Sequence, residues 1–95
     1  MKLLIFSLMI MDASTYQAYR NQIKPVMERH GITVKYEYTI DAVLSSQQPE
    51  DQVNRLAVFE YSESFNIDTF FNDPDYQKAK PLLLASSKNV TVILK

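Results

Sequence analysis

LLIFSLMIM, residues 3–11, is the stretch of sequence that decides the fold. Side chains alternate between the two faces of a β-strand, and both faces of this one carry large apolar side chains: Leu3, Ile5 and Met9 on one face, and Leu4, Phe6, Leu8 and Ile10 on the other. Such a strand needs apolar cover on both faces. Helices of the same chain cover one face, and the other requires a second sheet. The stretch therefore predicts a central strand whose sheet packs on that of a second copy.

A helix is predicted directly after this strand. Asp12 is placed to cap its first turn, and apolar side chains recur at helical spacing as far as Met27. Gly31, the only glycine in the chain, follows the run and suits the left-handed conformation that ends many helices. Pro25 lies inside the run and predicts a bend. The predicted helix extends from Asp12 to about Arg29.

Three further strands are predicted. Residues 32–44 alternate strictly, which is typical of a half-exposed strand. The apolar side carries Val34, Tyr36, Tyr38, Ile40 and Ala42, and the polar side Lys35, Glu37, Thr39 and Asp41. Residues 53–61 and 90–94 are the other two predicted strands.

A second helical region is predicted between these last two strands. It consists of residues 63–71 and of a helix that restarts at Asp73-Pro74, where the aspartate can cap and the proline takes a position that needs no amide. Residues 45–51 contain no apolar side chain and are predicted to form a loop.

The resulting order, β-α-β-β-α-β, predicts a ferredoxin-like α+β fold with a four-stranded antiparallel sheet and two helices on one face. The first and third strands are central in this fold. Residues 1–95 are predicted to form a single domain. Two helices can cover only one face of a four-stranded sheet. We therefore predict a homodimer in which two such sheets pack together and close a dimeric α/β barrel.

Composition excludes several classes of function. Ten Lys and Arg against eleven Asp and Glu give a net charge of −1, so we expect neither nucleic acid nor a membrane as a partner. The chain has no cysteine and one histidine, so we expect no metal site and no cofactor. No small-residue cleavage site follows the apolar stretch, and we expect a cytoplasmic protein.

Several segments resemble a known family. They are FEYSE (residues 59–63), FFNDPDYQ (70–77) and KPL (80–82), and, in the first helix, Asp12, YQAYR (16–20), Pro25 and Gly31. They are similar to domain-of-unknown-function family 1330, small proteins of the dimeric α/β-barrel superfamily. Members of that superfamily include cofactor-independent monooxygenases, muconolactone isomerases, haem-degrading enzymes and sensor domains without chemistry. The resemblance implies the dimeric barrel fold and a cavity, and no particular reaction.

The chain departs from the family pattern at two places, and the second removes a ligand contact if the family's arginine binds a ligand. The family tends to have paired glycines after the first helix, where this chain has His30-Gly31. It usually carries an arginine on the last helix, where this chain has Leu83.

Five side chains are candidates for a ligand site: Tyr16, Tyr19, Arg20, Tyr36 and Tyr76. Tyrosines present hydroxyls to aromatic ligands, and they also serve as core or interface packing. Arg20 lies on an otherwise apolar helix face and requires an acceptor. That acceptor is either a ligand oxyanion or a carboxylate such as Glu60.

His30 is the candidate for proton transfer, because imidazole titrates near neutral pH. Its alternative role is structural, since a cation in the last turn of a helix is favoured by the helix dipole.

Two functions remain open. In the first, the protein binds a small apolar or aromatic molecule in a pocket between sheet and helices, with or without cofactor-independent chemistry of the monooxygenase or isomerase type. In the second, it is a non-catalytic dimeric interaction module whose cavity its own side chains fill. An open apolar cavity near Tyr19, Arg20 and Tyr76 favours the first, and a filled one favours the second.

Overall fold

The computed structural model describes residues 2–45 and 52–94. In chain order its elements are β1 (Lys2–Ile10), α1 (Ala13–Arg29), β2 (Ile32–Thr39), β3 (Arg55–Tyr61), α2 (Ile67–Phe71), α3 (Pro74–Ser86) and β4 (Ser87–Leu94). The strands form one antiparallel sheet in the order β2-β3-β1-β4. The predicted α+β fold with β1 and β3 as inner strands is therefore confirmed. Apart from Ser45, the predicted loop at residues 45–51 lies outside the described residues.

The predicted ends of α1 are confirmed. The Asp12 carboxylate accepts a hydrogen bond from the Thr15 amide at 3.2 Å, which satisfies a donor that the helix leaves unpaired. Gly31 follows the last turn with φ = 73°, in the left-handed region that favours glycine. The helix continues through Pro25.

The second helical region is shorter than predicted at its start. The helix expected over residues 63–71 begins only at Ile67, because the Asn66 side chain caps it by accepting from the Thr69 amide at 3.0 Å. Asp73 caps α3 as predicted, with its carboxylate accepting from the Asp75 amide at 2.9 Å. Among the described residues, no helix has the length and apolar character needed to cross a membrane.

Strand β2 differs from its prediction in length and in alternation. It ends at Thr39 instead of continuing to residue 44, and a β-bulge interrupts it at Lys35. The bulge is visible in the register with β3, which pairs Val34 with Phe59 and Tyr36 with Val58. One residue of β2 is thus left without an opposite partner.

The bulge reverses which face each later side chain occupies. Tyr36 and Tyr38 lie on the face of the sheet away from the helices, whereas Val34 lies on the helix face. The prediction that these three side chains share one side is therefore wrong. Glu37, which is opposite the buried Ala57, lies on the helix face instead of in solvent on the far side.

The core lies between one face of the sheet and the helices. Leu4 and Leu8 of β1 are 1% and 2% exposed. They pack with buried side chains of both long helices, which are Tyr16, Tyr19, Ile23, Val26 and Met27 of α1 and Tyr76, Ala79 and Leu83 of α3.

The opposite face of the sheet has no helix of the described chain on it. One row crosses all four strands in register and consists of Tyr36, Val58, Ile5 and Ile93. We call this row, together with Leu3, Met9, Tyr38 and Leu56 on the same face, the open face. Tyr36 is 50% exposed, Tyr38 51% and Ile93 43%. Strand β1 thus has buried side chains, Leu4 and Leu8, on its helix face only.

The side chain of Asn54 continues the pairing of β3 with β1. Its Oδ1 accepts from the Ile10 amide at 2.7 Å, and its Nδ2 donates to the Ile10 carbonyl at 2.9 Å. Its own amide donates to the Leu8 carbonyl at 3.0 Å. One side chain therefore satisfies both backbone groups at the end of the central strand.

Replacing Asn54 by alanine is expected to destabilise the protein by about 1 to 3 kcal/mol, because the part-buried Ile10 amide and carbonyl lose their partners. Urea denaturation measures the change. Gln22→Ala, at an exposed position of α1, is the control and is expected to change stability by less than about 0.5 kcal/mol. Equal stability of the Asn54 and Gln22 variants would contradict this role for Asn54.

Candidate functional site

A groove runs between α1 and the edge strand β2 on the helix side of the sheet. Its volume is about 480 Å³, within the range of small-molecule sites. We call it the α1–β2 groove and define it by Arg20, Lys24, Met27, Val34, Glu37 and Arg55, which are among its lining residues.

Two arginines meet one carboxylate at the end of this groove. Arg20 Nη1 donates to Glu37 Oε2 at 2.8 Å, and Arg55 Nη1 donates to the same oxygen at 2.6 Å. The acceptor predicted for Arg20, Glu60, instead pairs with Lys35 at 2.8 Å. Glu60 lies on the open face, opposite Leu3, whereas the bulge brings Glu37 to the helix face beside Arg20.

Aromatic rings hold both guanidinium groups. Arg20 Cζ lies 5.8 Å from the centre of the Phe59 ring, and Arg55 Cζ lies 5.7 Å from that of Tyr16. Burial alone lowers the pKa of Arg20, but Tyr16 and Glu37 raise it more, so its pKa lies above the usual value. Arg20 is therefore a fixed, permanently charged group at the groove wall.

Three of the candidate tyrosines lie in the interior, two of them beside Arg20 and the third, Tyr76, beside Tyr19. Tyr16, Tyr19 and Tyr76 are all buried, and Tyr76 lies close enough to Tyr19 to contribute to raising its pKa. Burial raises the pKa of both the Tyr19 and the Tyr76 hydroxyl. The free space around Tyr16 and Tyr19 is about 20 Å³, room for about one water molecule. This part of the interior is filled by the chain's own side chains.

Tyr36 is separated from the other candidates by the sheet. It lies on the open face, where its ring stacks on Tyr38 at 5.9 Å and Lys35 Nζ lies 5.7 Å from its centre. The structure thus brings Tyr16, Tyr19 and Arg20 together, with Tyr76 next to Tyr19, and leaves Tyr36 apart.

His30 lies at the other end of α1 and binds a helix cap. Its Nε2 is 2.8 Å from Asp73 Oδ2, and Arg29 Nη2 donates to the same oxygen at 2.7 Å. The imidazole also packs edge-on against Phe70 at 5.4 Å. His30 is ten residues, or about 15 Å along the helix, from Arg20. It therefore ties α1 to α3 through Asp73, a contact that the sequence did not predict.

The hydrogen bond from His30, the Arg29 guanidinium and the Asp75 amide together hold the pKa of Asp73 well below its usual range. Within residues 2–45 and 52–94, no group of three His, Asp or Glu side chains is placed to hold a metal ion.

Sequence reasoning missed Glu37 and Arg55 as members of the candidate site. Strict alternation placed Glu37 on the solvent side, and only the pairing of β2 with β3 reveals the bulge. The sequence contains one signal that pointed toward this site. Two charged residues, Lys35 and Glu37, lie on the strand that follows the helix carrying Arg20.

The fold and its sheet order define a ferredoxin-like α+β protein. The chain belongs to the family described as Domain of unknown function (DUF1330), whose profile matches residues 2–95. The family resemblance of the sequence is thereby confirmed.

Solved structures share this fold. A crystal structure of a protein of unknown function from Rhodopseudomonas palustris has a TM-score of 0.80 and 21% identity, and the match covers 99% of this chain and 80% of that chain. An uncharacterized NIPSNAP domain protein from Burkholderia xenovorans has a TM-score of 0.69 and 10% identity, with 100% and 92% covered. The comparison with curated proteins finds no match. Likenesses at these identities show the fold alone.

The ion pairs of Asp73 predict a loss of stability in acid. Because its pKa is lower in the folded state, the stabilisation is complete above the unfolded pKa of about 4 and is lost as pH falls below that value. Asp73→Asn keeps a capping side chain but removes the charge. We expect its melting temperature to lie below that of the parent at pH 7 and to approach it toward about pH 2.

Two further variants complete the comparison. Asp73→Ala also removes the cap and is expected to melt about 4 °C or more below the parent at pH 7. Asp41→Asn, an exposed carboxylate outside the helices and strands, is the control and is expected to follow the parent at every pH. A gap between Asp73→Asn and the parent that does not change with pH would show that the charge of Asp73 has no part in folding.

Proposed function

We propose that this protein works as a homodimeric, non-catalytic interaction module. Two copies pack their open faces together and close a barrel of two four-stranded sheets, while the interior around Tyr16 and Tyr19 is filled by the chain's own side chains. The observation that carries the proposal is the apolar row of Tyr36, Val58, Ile5 and Ile93, which crosses every strand on the face without helices.

The energetics of the open face support association. A fully buried Leu, Ile, Val or Met contributes roughly 1.5 to 3 kcal/mol, and the open face presents eight large side chains per copy. Association costs about 4 to 15 kcal/mol in lost freedom of motion, so several such contacts per copy suffice for a stable pair. A two-fold axis joins like surfaces, and each copy then supplies the cover that the other needs.

The filled interior favours this function over the first candidate. Binding of a small apolar or aromatic molecule in the interior near Tyr19, Arg20 and Tyr76, with monooxygenase- or isomerase-like chemistry, requires a cavity there, separate from the α1–β2 groove at the edge of the sheet. The space beside Tyr16 and Tyr19 is about 20 Å³, far below the roughly 300 Å³ at which ligand pockets begin.

We also propose the cytoplasm as the compartment, since the apolar residues 3–10 are built into the sheet as an inner strand.

Sedimentation equilibrium at micromolar concentration tests the dimer. The expected mass is twice the 11.0 kDa of one chain. Val58→Glu places a charge in the centre of the open face and is expected to weaken association about tenfold or more, since a buried unpaired charge is costly. Leu84→Glu, the same kind of change on the 64% exposed outer side of α3, is the control and is expected to remain dimeric.

Tyr36→Glu is a second variant that keeps the test valid if Val58→Glu does not fold. Tyr36 is half exposed in the single chain, so a glutamate there leaves the fold intact and is also expected to weaken the dimer. A parent protein with the mass of one chain would refute the proposal. So would folded Val58 and Tyr36 variants that associate as tightly as the parent.

A further inference from the structure

The α1–β2 groove carries a net positive charge in a chain whose net charge is −1. Arg20, Lys24 and Arg55 are its positive side chains, and Glu28 and Glu37 its negative ones. Arg20 and Glu37 are 18% and 28% exposed, so solvent screens this end of the groove only partly. An anion that enters the groove therefore meets an attractive field.

The two guanidinium groups have donors to spare. Each uses only its Nη1 atom on Glu37, with Arg20 Nη1 also donating to the Tyr16 hydroxyl at 3.5 Å. Within the described part of the chain, the Nε and Nη2 atoms of both arginines have no protein acceptor. A guanidinium presents its donors as a planar fork that matches the two oxygens of a carboxylate.

The position of these donors is fixed in advance. Phe59 packs against Arg20 and Tyr16 against Arg55, and the shared Glu37 oxygen holds the two groups together. Little side-chain freedom is lost when such a pair binds an anion, so the binding cost is reduced.

Part of the groove wall is apolar, beside the polar side chains of Gln17, Asn21 and Thr33. Met27 is 7% and Ile32 2% exposed, and both line it together with Val34, which is 49% exposed. A purely inorganic anion leaves this surface in water, whereas an organic anion covers it. The groove therefore has a charged end and, among its polar side chains, an apolar patch.

We propose that the α1–β2 groove binds a small organic carboxylate, with its carboxylate on the donors of Arg20 and Arg55 that Glu37 does not use and its hydrocarbon part against Met27 and Val34. The bound carboxylate lies next to Glu37, which competes with it for the same two guanidinium groups. The site is on the helix side of the sheet, so it does not depend on how the open face is covered.

Titration of ¹⁵N-labelled protein with benzoate, followed by amide chemical shifts, tests the proposal. We expect saturable shifts at amides of α1 and β2 that line the groove. Benzyl alcohol has the same ring without the charge, acetate has the charge without the ring, and phosphate is the inorganic anion. All three are expected to bind more weakly than benzoate. The proposal would be overturned if benzoate at millimolar concentration gave no saturable shifts. It would also be overturned if phosphate or benzyl alcohol bound as tightly as benzoate.

Two substitutions are expected to act in opposite directions. Arg55→Gln removes a donor and is expected to weaken benzoate binding about tenfold or more. Glu37→Gln removes the competing carboxylate and is expected to strengthen it. Lys78→Gln, the same loss of charge on the outer surface of α3, is the control and is expected to leave binding unchanged.

The outcome separates a binding site from a structural cluster. Weaker binding in both the Arg55 and Glu37 variants would mean that the three charges only support the fold, and equal binding in Arg55→Gln and Lys78→Gln would exclude the groove as the site. The amide spectra report in the same experiment whether each variant is folded. The oligomeric state is measured independently, so failure of this proposal is distinguishable from failure of the dimer.

Discussion

The need to cover strand β1 on both faces governs the whole structure. On one face Leu4 and Leu8 are buried against α1 and α3, and this packing provides most of what holds a single chain together. On the other face Ile5 lies between Val58 and Ile93 with no helix above it. The free energy of folding thus depends on one side of the strand, and the free energy of association that we propose depends on the other.

The bulge at Lys35 connects the two surfaces. By shifting the alternation of β2 it adds Tyr36 and Tyr38 to the open face and brings Glu37 to the helix face between Arg20 and Arg55. An unbroken strand would expose Glu37 on the far side and leave both arginines without their shared carboxylate. One extra residue in an edge strand therefore shapes both the proposed interface and the proposed anion site.

What could be predicted from the sequence is local or depends on simple periodicity. Asp12, Gly31 and Asp73 act within a few residues of themselves, so their capping roles follow from position, and the apolarity of β1 on both faces indicates an inner strand. The bulge and the partner of Arg20 could not be predicted, because both depend on how β2 pairs with a strand about twenty residues away. The late start of α2 was missed because the Asn66 cap lies within a polar stretch that offers several capping side chains.

The most direct test of this account is a search for contacts between copies across the open face. A sample prepared from equal amounts of ¹³C,¹⁵N-labelled and unlabelled protein reports such contacts as isotope-filtered nuclear Overhauser effects. The account predicts them from the methyl groups of Ile5 and Val58 to open-face side chains of the other copy, and none from the outward methyl groups of Leu84 on α3. Intermolecular effects at Leu84 with none at Ile5 and Val58 would contradict it, because β1 would then lack cover on its second face.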